Sequence, residues 1–335
     1  MQVTIKVPDW ASYVLSDLTD MDRNPQPLNP KTIRSFKLSL PDDCYFEYAF
    51  VREDRAESAA DIDAKVLEPD PENDLRADNP WYPGISALQG PAYKPDPLAD
   101  PILEAKGKVR RFRLESEHLA QTRRIISYTP EGFDDKPLAS IYIQDGVAYY
   151  RIARLPEVLE TLIAEGYPPA HLIFVEPGDR AKEYRYNPHY QGFMVEELLP
   201  FIADELGASQ ERVVMGASLG GLMSGLLALN HPHLFQTVIS QSGAFIGSPD
   251  ELDFYSGKSS WVLETLQQEK PLPLRWYVDT GKLEWLYPIN KQIAETLQAK
   301  GYDTSYAERN SGHNWVTWRN GLGDALRFAL SGLAH

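Results

Sequence analysis

Apolar residues follow two different patterns along this chain. Over the first hundred residues they alternate with polar ones: Phe36, Leu38 and Leu40 in one run, Phe46, Tyr48 and Phe50 in the next. A period of two sends neighbouring side chains to opposite faces, so the spacing predicts strands over 2–7, 33–40 and 45–52. Pro and Asp turns separate them, and together they predict a small β-sandwich. The stretch from Asp61 to Asp100 is rich in Pro, Asp and Asn and reads as loop or linker. Trp81 and Tyr82 within it either pack on the sandwich or line a site. From about Lys108 the pattern changes. Strands are predicted over 111–116, 123–129, 138–144, 172–175, 213–215, 238–241, 274–278 and 304–308. Helices are predicted near 156–165, 290–299 and 315–330, and Phe193, Met194, Leu198, Leu199, Ile202 and Leu206 recur at helical spacing as core positions. Strands alternating with helices predict a mostly parallel sheet covered on both faces, with an antiparallel hairpin at its edge. The expected organisation is a sandwich with linker over residues 1–105 and an α/β domain over 106–335.

One run in the α/β part carries chemistry. Gly216-Ala217-Ser218-Leu219-Gly220-Gly221 contains G-x-S-x-G between a predicted strand and a helical segment. That context is a nucleophile elbow of the α/β-hydrolase fold. A serine hydroxyl is a poor nucleophile unless it is exposed and beside a base, and a tight strand-to-helix turn exposes it. Glycines two before and two after the serine avoid collision inside the turn. The helix beginning at Leu219 aims backbone N–H groups at the site, which suits a developing oxyanion.

The order Ser…Asp/Glu…His then asks for two partners downstream. Of seven histidines, four follow Ser218. His231 and His233 flank Pro232 in a turn, and His335 is the last residue. His313 lies in Ser311-Gly312-His313-Asn314-Trp315, between a predicted strand and a predicted helix, where α/β sheets place their chemistry. For the acid, the strand ending at Val278 runs into Asp279-Thr280-Gly281-Lys282-Leu283-Glu284. Asp279 and Glu284 are both candidates, and position favours Glu284, which lies past the glycine turn. Asp250, Glu251 and Asp253 are weaker ones.

Composition narrows the class. The chain has 335 residues, 43% hydrophobic and 24% charged, with no apolar run long enough to span a bilayer. The start lacks the apolar core of a signal peptide, and a single cysteine, Cys44, rules out an internal disulfide. Both fit a reducing, cytoplasmic setting. A net charge of −15 argues against nucleic acid as a partner. No metal or organic cofactor is expected, since there is neither Cys/His zinc spacing nor a phosphate-binding glycine loop. Asp61, Asp63, Asp70, Glu72 and Asp74 do not follow the spacing of a calcium loop.

Taken in order, these motifs resemble the esterase D superfamily, and within it the enterochelin (enterobactin) esterase-like branch. The resemblance runs from Ala139 to about Leu330. It rests on Asp145-Gly146 after a strand, Arg180-x-x-Glu183-Tyr184, Glu196-Glu197-Leu198-Leu199-Pro200, the elbow, Ser240-Gln241-Ser242-Gly243, Gly312-His313 and Trp318-Arg319. The family's acid follows Gly-x-x-Asp/Glu, which Gly281-Lys282-Leu283-Glu284 matches, and this lifts Glu284 above Asp279. The first domain resembles, more weakly, the family's immunoglobulin-like β-sandwich. The resemblance implies a serine esterase with Ser218, His313 and Glu284 as catalytic set. Leu219, with Gly146 or Val147, would form the oxyanion hole. Tyr149, Arg180, Glu183 and Trp315 are candidate substrate contacts; Arg180 and Glu183 could instead be an ion pair bracing the loop. The substrate would be a small-molecule ester, a ferric siderophore in the strict family. A carbohydrate ester (feruloyl or acetyl) would use the same machinery, and a non-catalytic binding protein would be expected to have lost part of the set. A ferric catecholate is triply negative. A chain at −15 would have to gather Arg180, Lys182, Arg185 or Arg319 locally to hold it.

Overall fold

The computed structural model describes residues 1–19, 25–29, 32–52, 66–134, 136–250 and 259–333. Glu251, Asp253, Asp61, Asp63 and His335 lie outside them. The chain divides into two compact units. The first comprises 1–95 with 280–287 and 308–320; the second comprises 96–279, 288–307 and 321–335. Two short segments from the C-terminal half thus group with the N-terminal strands.

The first unit is built from β1 (Gln2–Lys6), β2 (Ala11–Ser16), β3 (Gln26–Pro27), β4 (Ser35–Ser39), β5 (Tyr45–Arg52), β6 (Leu67–Glu68) and β7 (Ser86–Gln89). β1 and β4 pair antiparallel as one sheet; β3, β2, β5 and β6 form the other, with β7 also on β5. Phe46, Tyr48 and Phe50 pack with Ile5, Val7 and Leu40 between the sheets, as alternation predicts. The opposite face of β5 is also buried, however. Tyr45, Ala49 and Val51 form a second core with Leu15, Ile85 and Ala87. The stretch read as linker therefore supplies two strands. Its polar composition hid them because the strands are two and four residues long.

The second unit carries an eight-stranded sheet in the order β15-β14-β13-β12-β10-β11-β9-β8. Its strands are β8 (Lys108–Ser116), β9 (Gln121–Thr129), β10 (Ala139–Gln144), β11 (Ala170–Val175), β12 (Arg212–Ala217), β13 (Thr237–Gln241), β14 (Arg275–Gly281) and β15 (Asp303–Arg309). Pairs from β11 through β10, β12 and β13 to β14 are parallel, while β8, β9 and β11 join antiparallel. Every residue of β10, β11, β12 and β13 is buried, which is why their centres read as short apolar runs without alternation. The helices are α1 (Gly146–Arg151), α2 (Leu155–Ala164), α3 (Arg180–Tyr184), α4 (Pro188–Gly192), α5 (Leu199–Leu206), α6 (Leu219–Asn230), α7 (Trp261–Gln268), α8 (Tyr287–Ala299) and α9 (Trp315–Leu330). A π-helical segment, Phe193–Leu198, joins α4 to α5. Its glutamates hold the β8–β9 turn: Glu197 accepts from the Glu117 and His118 N–H groups, and Glu196 bonds the His118 ring at 2.8 Å. The architecture is an α/β-hydrolase fold preceded by a small antiparallel β-sandwich. Among the described residues no helix is long and apolar enough to cross a membrane.

Candidate active site

In the second unit, β12 runs into Ser218, and α6 starts at the next residue. Ser218 has φ 56° and ψ −121°. A non-glycine residue there is strained by roughly 1–3 kcal/mol and needs its surroundings to hold it. The Ser218 N–H donates to the Gln241 carbonyl at 2.9 Å, and the Ser218 carbonyl accepts from the Ala244 N–H at 2.9 Å. The end of β13 and the loop after it thus clamp the turn from both sides. A Cβ on Gly216 would lie 2.5 Å from the Gly220 backbone, so the turn closes only with glycine there. The first N–H groups of α6 have no acceptor within the helix.

A second loop, at the end of β10, is tied to this turn. Asp145 sits in the left-handed region at φ 55° and leads into α1. Arg180, on α3, grips it with both arms of its fork, Nε to Oδ1 at 2.7 Å and Nη2 to Oδ2 at 2.8 Å. The same Nη2 reaches the carbonyl of Ala217, the residue before the serine, at 3.2 Å. Tyr184 accepts from the Asp145 N–H at 3.0 Å, and Tyr190 donates to Gln144 Oε1 at 2.6 Å. The Arg180-x-x-Glu183-Tyr184 motif thus braces this loop. Glu183 pairs not with Arg180 but with buried Arg123 on β9. Tyr149 is fully buried and donates to Gln241 Oε1 at 3.0 Å. The Val147 N–H donates to Glu176 Oε2 at 3.0 Å. Burial raises the Glu176 carboxyl above its usual range, and the Val147 bond opposes that shift.

In the first unit, His313 Nδ1 lies 2.7 Å from Glu284 Oε2. The other oxygen of Glu284 accepts from the Thr280 hydroxyl. The Glu284 side chain is fully buried and that of His313 is 19% exposed. With a carboxylate at Nδ1, that nitrogen carries the proton and Nε2 is left to act as a base. Asp279, the other acid candidate, is buried in the second unit, where its Oδ2 accepts from Gln241 Nε2 at 3.1 Å and the Tyr277 hydroxyl at 3.4 Å. The acid and histidine loops are stitched together, Leu283 N–H to the Ser311 carbonyl at 3.0 Å and Lys282 N–H to the Arg309 carbonyl at 2.7 Å. Trp318 packs edge-on against His313, with centroids 5.2 Å apart, and Trp285 lies 6.4 Å away. Trp315 is buried, and Trp81 packs against both, tilted on Trp315 and edge-on to Trp318.

The histidine loop rests on Asp17, which no pattern in the sequence singles out. Asp17 Oδ2 accepts from Asn314 Nδ2 at 3.0 Å and from the Glu47 N–H at 2.6 Å. A Cβ on Gly312 would fall 2.0 Å from the Asp17 carboxyl carbon. Burial pushes the Asp17 carboxyl well above its usual range, and Glu47 beside it adds to this. Burial likewise pushes Glu47 up to about 7, against the pull of its bond from Asn79.

The cations expected to gather for an anionic substrate have partners of their own. Arg180 holds Asp145, Lys182 pairs with Asp179, and Arg319 pairs with Asp78. Arg185 also has partners. Among the described residues no three His, Cys, Asp or Glu side chains are arranged to hold a metal ion.

Comparison with known proteins points one way. The model of the esterase family (“Putative esterase”) matches residues 116–329. Iron(III) enterobactin esterase of Dickeya dadantii is 30% identical over 261 residues, covering 72% of this chain; the chain spans 58% of that enzyme's length. The uncharacterized protein YjcH of Bacillus subtilis is 26% identical over 251 residues, 67% of this chain and 98% of its own. The crystal structure of enterochelin esterase from Shigella flexneri covers all of this chain and 93% of its own, with a TM-score of 0.74 at 20% identity.

Proposed function

Since the chain belongs to the esterase family, in its enterobactin esterase-like branch of carboxylic ester hydrolases, we propose that Ser218, His313 and Glu284 hydrolyse esters through an acyl-enzyme. Ser218 Oγ attacks the ester carbonyl while its proton passes to Nε2 of His313. Glu284 keeps the proton of the imidazole on Nδ1 and stabilises the imidazolium. The C–O bond to the alcohol then breaks as His313 protonates the departing oxygen. Water, deprotonated by the same nitrogen, cleaves the acyl-enzyme and releases the carboxylic acid. The N–H of Leu219 is one oxyanion donor and that of Val147, or of Gly146, the other. Val147 serves only when the Glu176 carboxylate withdraws from it. The observation that carries the reading is the carboxylate–imidazole bond at 2.7 Å in a chain that also holds a strained, clamped serine elbow.

The proposed substrate is a siderophore-type ester, supported by the Dickeya relative's name. Trp285 and Trp318 against His313 suit an aromatic acyl group. A cytoplasmic setting fits the one cysteine, Cys44, which is buried and reduced. The test is incubation with enterobactin and with 4-nitrophenyl butyrate, products separated by chromatography. Dihydroxybenzoylserine products are expected. Cleavage of the butyrate alone keeps the mechanism and discards the siderophore; cleavage of neither discards both.

A further inference from the structure

One cavity in the second unit is basic although the chain is acidic. It encloses about 660 Å³ along the β8–β9 hairpin and the end of β11, and five of its fifteen lining residues are arginines: 111, 113, 123, 124 and 151. That volume is in the range of small-molecule sites, and a concave wall suits a compact ligand better than a flat polymer. The chain's net charge is −15, so such a gathering is against its overall balance. Glu176 is the one acid in the lining.

The arginines are poorly served by the fold itself. Arg123 is buried against Glu183, yet its Nε has no hydrogen-bond partner. Among the described residues, Arg111, Arg113, Arg124 and Arg151 make no ion pair; all four are exposed. The strand register sets Arg113 directly across from Arg124. Like charges opposite each other on adjacent strands destabilise a sheet. An anion placed between them removes that repulsion, and guanidinium forks match carboxylates with two parallel hydrogen bonds. The cavity also reaches Val147, whose N–H already holds a carboxylate, that of Glu176.

We propose that this cavity is a subsite for a carboxylate-bearing part of the ester, so that the enzyme prefers anionic esters to neutral ones of the same shape. The proposal rests on the serine-esterase reading above, and its test separates the two. Citrate is titrated calorimetrically into the wild-type protein and into R113Q/R124Q. The same proteins are assayed with mono-4-nitrophenyl succinate and its neutral counterpart, 4-nitrophenyl butyrate. The double variant should bind citrate at least about tenfold more weakly. Its kcat/KM should fall by a similar factor for the succinate and stay level for the butyrate. Its Tm should hold or rise, which a purely structural role for the two arginines would not give. Citrate binding that ignores the substitution, or an unchanged succinate-to-butyrate ratio, overturns the subsite. Arginine-dependent citrate binding in a protein that cleaves neither ester keeps the cavity as a carboxylate site and overturns both the esterase reading and the ester preference.

Discussion

Replacing Arg180 with alanine should be among the costliest single changes in the second unit. Arg180 gives two hydrogen bonds of 2.7 and 2.8 Å to Asp145 and a third to the Ala217 carbonyl. The Asp145 side chain is only 7% exposed, while that of Arg180 is 31% exposed. Breaking a buried pair from one side costs about 3–5 kcal/mol, because it strands the other charge. Partial exposure of Arg180 lets water reach the gap, so the lower end applies, about 3 kcal/mol for R180A. Removing the other partner should cost less, since a stranded guanidinium at this depth is better hydrated. D145N also keeps a residue type that tolerates the left-handed backbone, so it should cost about 1–2 kcal/mol. The double variant should then be more stable than the sum of the singles by about 2 kcal/mol. Urea unfolding followed by circular dichroism gives the four free energies. Ester hydrolysis under folding conditions gives the functional cost, at least about tenfold in kcat for R180A, because loop and elbow share this one anchor. An R180A loss below about 1 kcal/mol, or additivity of the two changes within about 0.5 kcal/mol, would mean that Arg180 does not anchor Asp145.

Other outcomes follow from the same geometry. Glu284→Ala should lower kcat far more than Asp279→Asn, and a larger effect at Asp279 in the assay exchanges their roles. Glu47 holds a proton up to about pH 7 in the fold against 4.5 ordinarily, so between those values the folded chain binds the extra proton and stability falls as pH rises. That loss is on the order of 3 kcal/mol; Glu47→Gln should therefore match wild type in Tm near pH 4 and exceed it at pH 8, and parallel Tm curves would contradict this. Asp17→Ala should cut kcat by about tenfold or more by releasing Asn314 and the histidine loop, whereas Asp17→Asn, neutral and of the same shape, should restore most of it; equal loss in both assigns Asp17 a charge-dependent role.

Much of the second unit could be read in the sequence because its central strands are buried on both faces and leave apolar runs such as 213–215. The elbow was legible because a tight turn around a serine admits so few residue types. The first unit was less so. Alternation around Phe46, Tyr48 and Phe50 suggests one wet face, but β5 is covered on both sides, and even Glu47 is buried against Asn79. The contact between Asp17 and Asn314 joins residues 297 positions apart, and no local pattern encodes it. It also changes the expectation for a truncated chain. The sequence predicts a first domain that influences substrate choice while the chemistry stays behind. In the structure the histidine and acid loops group with residues 1–95, so deleting those residues takes away the support of His313 itself. The basic cavity had a visible signal, Arg111 and Arg113 two apart on one strand and Arg124 on the next. Its meaning emerged only with the register that sets Arg113 opposite Arg124.

Ser218 is proposed as the nucleophile of an ester hydrolase. Its most direct test is labelling with a fluorophosphonate probe, followed by mass spectrometry of the digested protein and ester assays of Ser218→Ala. One adduct is expected, on the peptide containing Ser218, absent from the variant, whose kcat falls by about 10³-fold or more with the fold intact. An adduct on another residue, or hydrolysis by Ser218→Ala near the wild-type rate, would contradict it.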